Sequence, residues 1–88
     1  MNQAEIRNVV LEVLGTIAPE AGGVPIDDAV PLREQLDLDS MDFLNFMIGL
    51  HDKLLVDIPE ADYPKVQTMK DLTSYLSSKH DASREGRS

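Results

Sequence analysis

Leu36-Asp37-Leu38-Asp39-Ser40-Met41-Asp42-Phe43-Leu44 marks the place where a loop becomes a helix. Asp39 and Ser40 are both favoured helix caps. Asp42 in the first turn suits the positive end of a helix dipole. The spacing predicts a helix from Ser40 to about Leu54. At about 100° per residue, Phe43, Phe46, Met47, Leu50 and Leu54 form a stripe wide enough for the core face of a small bundle. Asp42, Asn45, Gly49, Asp52 and Lys53 lie broadly opposite, and Gly49 costs the helix about 1 kcal/mol relative to alanine. Met41, Leu44 and Ile48 make a second apolar strip beside Ser40. Such a strip is either buried on a further side of a central helix or left open as a docking surface rimmed by charge. A mixed outcome has Leu44 buried and Met41 and Ile48 more open.

Upstream, Ile6, Val9, Val10, Val13, Leu14 and Ile17 recur at spacings of three and four, the mark of one helical face. Asn2 and Glu5 are spaced as a capping box, and Pro19 with Gly22-Gly23 is expected to end that helix. Residues 19–39 form a long connection with too much apolar content (Ile26, Val30, Leu32, Leu36, Leu38) to hang free. It should pack back on the core, with a short helical turn near Pro31 to Gln35. Downstream, Pro59 and Pro64 bracket one helical turn from Glu60 to Tyr63. A last helix begins at Thr68, with Asp71 spaced for a cap and with Met69, Leu72, Tyr75 and Leu76 as its apolar face. From Ser77 on the chain is polar and should fray. No alternating strand pattern is visible. The expected class is all-α: three main helices, one short helix and a long first loop, with residues 1–78 as one domain and 79–88 as a flexible polar tail.

Eighty-eight residues allow one compact core and little more. Sixteen acidic residues stand against eight basic ones, a formal net charge of −8. That balance disfavours nucleic acid and anionic membrane as partners and favours proteins with basic docking patches; simple solubility is an equally good use of it. No cysteine is present, so no disulfide and no cysteine-based zinc site can form. Met1-Asn2-Gln3-Ala4-Glu5 lacks the basic start and apolar core of a secretory signal. No apolar run reaches the ~20 residues that span a bilayer. A cytoplasmic monomer without stable membrane insertion is expected.

Ser40 is poorly placed to act as a nucleophile itself, because a nucleophilic serine needs a base within hydrogen-bond reach. His51 lies eleven residues along the same helix, about 16 Å away at 1.5 Å per residue. His80 falls in the polar tail. No G-x-S-x-G elbow surrounds Ser40, so a small hydrolase is disfavoured. Asp37 and Asp39 superficially start a calcium loop. Met41, Asp42 and Ile48 then occupy positions that need a ligand, a glycine and a bidentate glutamate, so no metal site is expected.

Leu36-x-Leu38-Asp39-Ser40-Met41-Asp42 resembles the signature of the acyl carrier proteins, an Asp-Ser-Leu/Met at the start of the second helix. Ile58-Pro59 sits where that family carries an Ile-Pro. Val66-Gln67-Thr68-Met69, with Leu72 and Tyr75-Leu76, resembles its last helix. The likeness covers roughly residues 4–78 and implies a small four-helix carrier bundle that is not an enzyme. It further implies that a phosphopantetheinyl transferase moves 4′-phosphopantetheine from coenzyme A onto Ser40, in a magnesium-dependent reaction. The arm's thiol then carries an acyl or related group as a thioester, which accords with a chain that has no sulfhydryl of its own. Acyl-loading, acyl-transferring or condensing enzymes become the implied partners. By position, Asp39, Met41, Asp42, Leu44 and Ile48 would serve partner recognition. Phe46, Leu50, Leu54, Ile58 and Tyr63 would line an acyl pocket. Asp37 stands where the family usually has glycine. Asn45, His51 and Lys53 stand where fatty-acid carriers often have glutamate. Those departures point away from bulk fatty-acid synthesis towards a specialised pathway, such as polyketide or other secondary metabolism. The alternative is an unmodified interaction module in which Ser40 is only a helix cap.

Overall fold

The computed structural model describes residues 2–19 and 25–85. In chain order the elements are α1 (Gln3–Ile17), α2 (Leu32–Gln35), α3 (Ser40–Leu54), a 3-10 helix (Glu60–Val66) and α4 (Met69–Glu85). No strand occurs among the described residues. One isolated bridge pairs Pro31 with Thr68, and beside it the Leu32 N–H donates to the Gln67 carbonyl at 2.7 Å.

Each long helix begins where the sequence supplies a cap. The Glu5 N–H donates to Asn2 Oδ1 at 2.8 Å, and the Asn2 N–H donates back to Glu5 Oε1. This closed capping box satisfies two otherwise orphaned donors. Thr68 Oγ1 accepts the Asp71 N–H at 3.1 Å and starts α4. Helix α1 stops at Ile17, with Ala18 as its C-cap; Gly22 and Gly23 lie outside the described residues.

The core joins Ile6, Val10, Val13 and Leu14 of α1 to Phe43, Phe46, Met47, Leu50 and Leu54 of α3 and to Met69, Leu72 and Leu76 of α4. The five-residue stripe expected on α3 is therefore its buried face. Gly49 does not lie on the solvent side. A Cβ built there would meet Val13 Cγ1 at 2.6 Å. The glycine lets the α1 and α3 backbones approach, and its cost in helix propensity is the cost of that contact.

The long connection is strapped to the body by polar groups. The Gln35 side chain makes three bonds. Its Oε1 accepts the Asp27 N–H at 3.0 Å, and its Nε2 donates to the Asp27 and Val30 carbonyls at 2.8 and 2.9 Å. Arg7 ties the strap to α1 through Asp28 at 2.6 Å. Leu32 and Leu38 are buried beneath it. Two elements run longer than their composition suggests. The single turn expected from Glu60 to Tyr63 is a seven-residue 3-10 helix with Pro64 inside it. Helix α4 continues past Ser77 to Glu85, so His80 sits on a helix and not in a tail. A polar segment carries no apolar periodicity, yet it prolongs a helix already nucleated by a buried face.

Tyr75 pins the 3-10 helix to α4, its hydroxyl donating to Asp62 Oδ2 at 2.6 Å. Burial, then that hydrogen bond, pushes the Tyr75 hydroxyl up to about 12. The same bond holds the Asp62 carboxyl below its usual range, with Lys65 contributing less.

Candidate functional site

Ser40 is the first residue of α3 and is exposed. The turn before it is built residue by residue. Leu36 and Leu38 point inward, half-buried and buried. Asp37 between them takes a left-handed backbone, φ 54°, a conformation that aspartate tolerates better than most residues. The Leu38 N–H donates to the Arg33 carbonyl at 3.0 Å and closes the turn. Asp39 is the cap: its Oδ1 accepts the Asp42 N–H at 2.8 Å. Of the two cap candidates in the sequence, the structure selects Asp39. Asp39 has the extended backbone a cap needs and fills the position, so the serine hydroxyl is not the cap.

The hydroxyl's protein neighbour is one that sequence spacing did not reveal. Arg33 Nη2 donates to Ser40 Oγ at 3.3 Å. Its guanidinium lies over the Phe43 ring, 5.6 Å from the centroid, with Nε 3.5 Å from the Leu38 carbonyl. A guanidinium does not lose its proton in proteins and cannot act as a base. His51 is occupied elsewhere. Its Nδ1 lies 3.1 Å from the Val56 carbonyl, which can only accept, so Nδ1 carries the proton. The donor set around Ser40 therefore suits an anion and not a hydrolytic triad.

Along α3 from Ser40, Met41, Leu44 and Ile48 are 65%, 42% and 50% exposed. The strip is open along its length. Leu44 is not the buried member of a mixed strip, because α3 turns its other stripe to the core and no described element covers this side. Of the five residues expected to face partners, Asp39, Met41, Leu44 and Ile48 are exposed and Asp42 is half-buried.

The five residues expected to line a pocket divide. Phe46, Leu50 and Leu54 are packed into the core. Ile58 and Tyr63 line an open cleft of about 190 Å³ together with Met47, Ile48, His51 and Asp57. Phe43 stacks edge-on against both Phe46 and Tyr63, at 6.3 and 5.7 Å between centroids. Phe43 thus links Phe46 of the core trio to Tyr63 of the cleft.

The model of the phosphopantetheine attachment site family matches residues 4–76. The chain is 35% identical over 72 residues to the acyl carrier protein of Campylobacter hominis, across 82% of this chain and 85% of that protein. The chain belongs to the acyl carrier protein family. It is 31% identical over 71 residues to the acyl carrier protein of Helicobacter hepaticus, across 81% of this chain and 87% of that one. The acyl carrier protein of Thermosynechococcus vestitus aligns over 82 residues at 29% identity, across 90% of this chain and 96% of its own length.

As a member of that family the chain is a carrier and not an enzyme, and 4′-phosphopantetheine is its covalent prosthetic group. When bound, the group supplies a thiol that holds acyl cargo as a thioester. The residues around Ser40 fit such a group: the hydroxyl is exposed, and the side chain touching it is a cation with no carboxylate between them. A phosphopantetheinyl transferase and acyl-handling enzymes are the partners that membership entails. Among the described residues no helix is long and apolar enough to cross a membrane.

Proposed function

We propose that Ser40 is the attachment point of the arm and that this carrier serves a specialised partner set. The observation that carries the reading is the exposed Ser40 hydroxyl at the start of α3, relieved of capping by Asp39 and opening onto an uncovered apolar strip. In the loading step the Ser40 Oγ–phosphorus bond forms as the pyrophosphate bond of coenzyme A breaks. Adenosine 3′,5′-bisphosphate leaves, and the hydroxyl proton passes to the transferase, because the side chain hydrogen-bonded to Ser40 Oγ is Arg33, which cannot accept it. Asp39 and Asp42 present negative charge to a basic transferase, while Met41, Leu44 and Ile48 supply its apolar contact.

The specialised reading rests on the outer face of α3. Asn45, His51 and Lys53 are all exposed, where fatty-acid carriers of this family tend to show carboxylates. Lys53 also pairs with Glu12 of α1 at 3.3 Å, so part of its charge is used within the chain. A partner matched to this face would carry fewer cations than one matched to a wholly acidic helix. Cargo would rest at the Ile58 and Tyr63 side of the expected pocket, in the cleft against α3, because Phe46, Leu50 and Leu54 leave no space on theirs.

The test is an intact-mass measurement after incubation with coenzyme A, magnesium and a broad-specificity phosphopantetheinyl transferase, with Ser40→Ala alongside. One phosphopantetheine on the wild type and none on the variant is the expected result. A modified Ser40→Ala protein would move the attachment elsewhere. An unmodified wild type, with several transferases tried on folded protein, would favour an interaction module that works without the arm.

A further inference from the structure

We propose that Arg33 is the phosphate-binding residue of this site, pairing with the phosphodiester that joins the arm to Ser40; the inference rests on the attachment reading above. Arg33 Nη2 is already within 3.3 Å of Ser40 Oγ. An anion bonded directly to that oxygen therefore comes within reach of the same guanidinium. Arginine suits the role because its planar fork of donors matches phosphate oxygens and its charge persists at every physiological pH.

Two backbone anchors fix where the side chain starts, and one contact fixes its guanidinium. Leu32, the residue before it, is fully buried and hydrogen-bonded to Gln67 beside the Pro31–Thr68 bridge. The Arg33 carbonyl accepts from Leu38 and fixes α2 against the turn that leads to Ser40. The guanidinium is laid over the Phe43 ring at 5.6 Å, a contact that favours the cation. Ordering of this kind lowers the entropy lost when a further hydrogen bond forms.

Charge supplies a separate reason. Sixteen acidic residues are present, and Glu34, Asp37, Asp39 and Asp42 are near Arg33 in sequence. Yet the ion pairs among the described residues are Arg7–Asp28, Lys53–Glu12 and Lys65–Asp62, and Arg33 is in none of them. The polar partners of its side chain, the Ser40 hydroxyl and the Leu38 carbonyl, are both neutral. Loading adds a negative charge beside Asp37, Asp39 and Asp42, which the N-terminus of α3 offsets only in part. Without Arg33 that charge meets a net acidic surface. With it, the root of the arm is tethered on the α2 side, and a partner that takes the phosphate onto its own basic patch must compete for it.

The experiment follows the loaded protein by nuclear magnetic resonance, with loading checked by intact mass. The ¹⁵Nε–¹Hε signal of Arg33 is compared before and after loading in the wild type. The ³¹P signal is compared among wild type, Arg33→Lys and Arg33→Gln, with a loaded unfolded peptide as reference. The Arg33 signal should shift on loading. The ³¹P signal of Arg33→Gln should move to the peptide value, with Arg33→Lys in between. In about 1 M salt, where the screening length is about 3 Å, the wild-type ³¹P signal should move the same way. An Arg33 signal indifferent to loading, or a ³¹P signal shared by wild type and Arg33→Gln, overturns the pairing while leaving the carrier reading intact. Absence of the arm from the wild type overturns both. The wild-type comparison needs no variant to fold.

Discussion

The two ends of α3 carry the same unusual backbone and treat it oppositely. Asp37, before the helix, has φ 54°, and Leu55, at its C-cap, has φ 56°. At the first end the turn is polar and open. Asp39 caps, Ser40 is exposed, and an arginine reaches across from α2. At the second end the turn is closed by the protein's own groups. The Leu55 N–H donates to the His51 carbonyl at 2.8 Å, the His51 ring holds the Val56 carbonyl, and Val56 and Ile58 are buried just beyond. One end is left available for chemistry from outside. The other is fastened, so that α3 presents its open end and its apolar strip from a fixed position. A left-handed residue serves both purposes because it turns the chain sharply; the residues next in the chain decide the use.

That contrast requires α3 to be held rigidly along its length, and Gly49 tests this most severely. An alanine there gains about 1 kcal/mol of helix propensity, but its Cβ meets Val13 Cγ1 at 2.6 Å. Val13 is buried and β-branched, with one favoured rotamer in a helix, so it cannot swing aside. Overpacking of this kind costs about 1–3 kcal/mol, and Gly49→Ala should show a net loss of up to about 2 kcal/mol in urea unfolding. In a Val13→Ala background the same change should be neutral or stabilising. An equal effect in both backgrounds would mean that the helices do not meet there.

The open end makes a smaller and more selective prediction. Asp39→Ala should cost about 0.5–2 kcal/mol through the lost cap and should also slow loading, since it removes charge from the face proposed to meet the transferase. Ser40→Ala should leave unfolding nearly unchanged and abolish loading. Comparable destabilisation by the two changes would return Ser40 to a structural role and erase the distinction between the ends.

The limits of periodicity explain how much of this was legible. The stripe from Phe43 to Leu54 was readable because burial repeats at the helical period. The Asn2–Glu5 box and the left-handed Asp37 were readable because those residue types announce their backbone. Gly49 was misplaced because a missing side chain enters a propensity scale only as a penalty, and the contact it permits belongs to Val13, thirty-six positions away by the numbering. Leu44 gave no sign of its exposure, since apolar residues look alike whether or not an element arrives to cover them. The Arg33–Ser40 contact spans a turn between two helices, where neither helical nor strand spacing applies.

Leu55 was the least legible residue of all, and it allows the sharpest comparison with Asp37. A leucine in left-handed backbone costs about 1–2 kcal/mol because its Cβ crowds the following carbonyl. It recovers little by burial, being 79% exposed. Glycine removes the crowding and gives back roughly 0.5–1 kcal/mol in backbone entropy. Leu55→Gly should therefore stabilise the fold by about 0.5–1 kcal/mol. Asp37→Gly should gain only a few tenths, because aspartate already tolerates the conformation. Paired urea titrations of the two variants read the difference directly. Equal gains would show that the strain is a property of the turns and not of the residues in them. A loss at Leu55 would mean that this exposed side chain makes a contact in solution, and the fastened end would then have to be counted, with Met41, Leu44 and Ile48, as part of the surface that α3 offers to others.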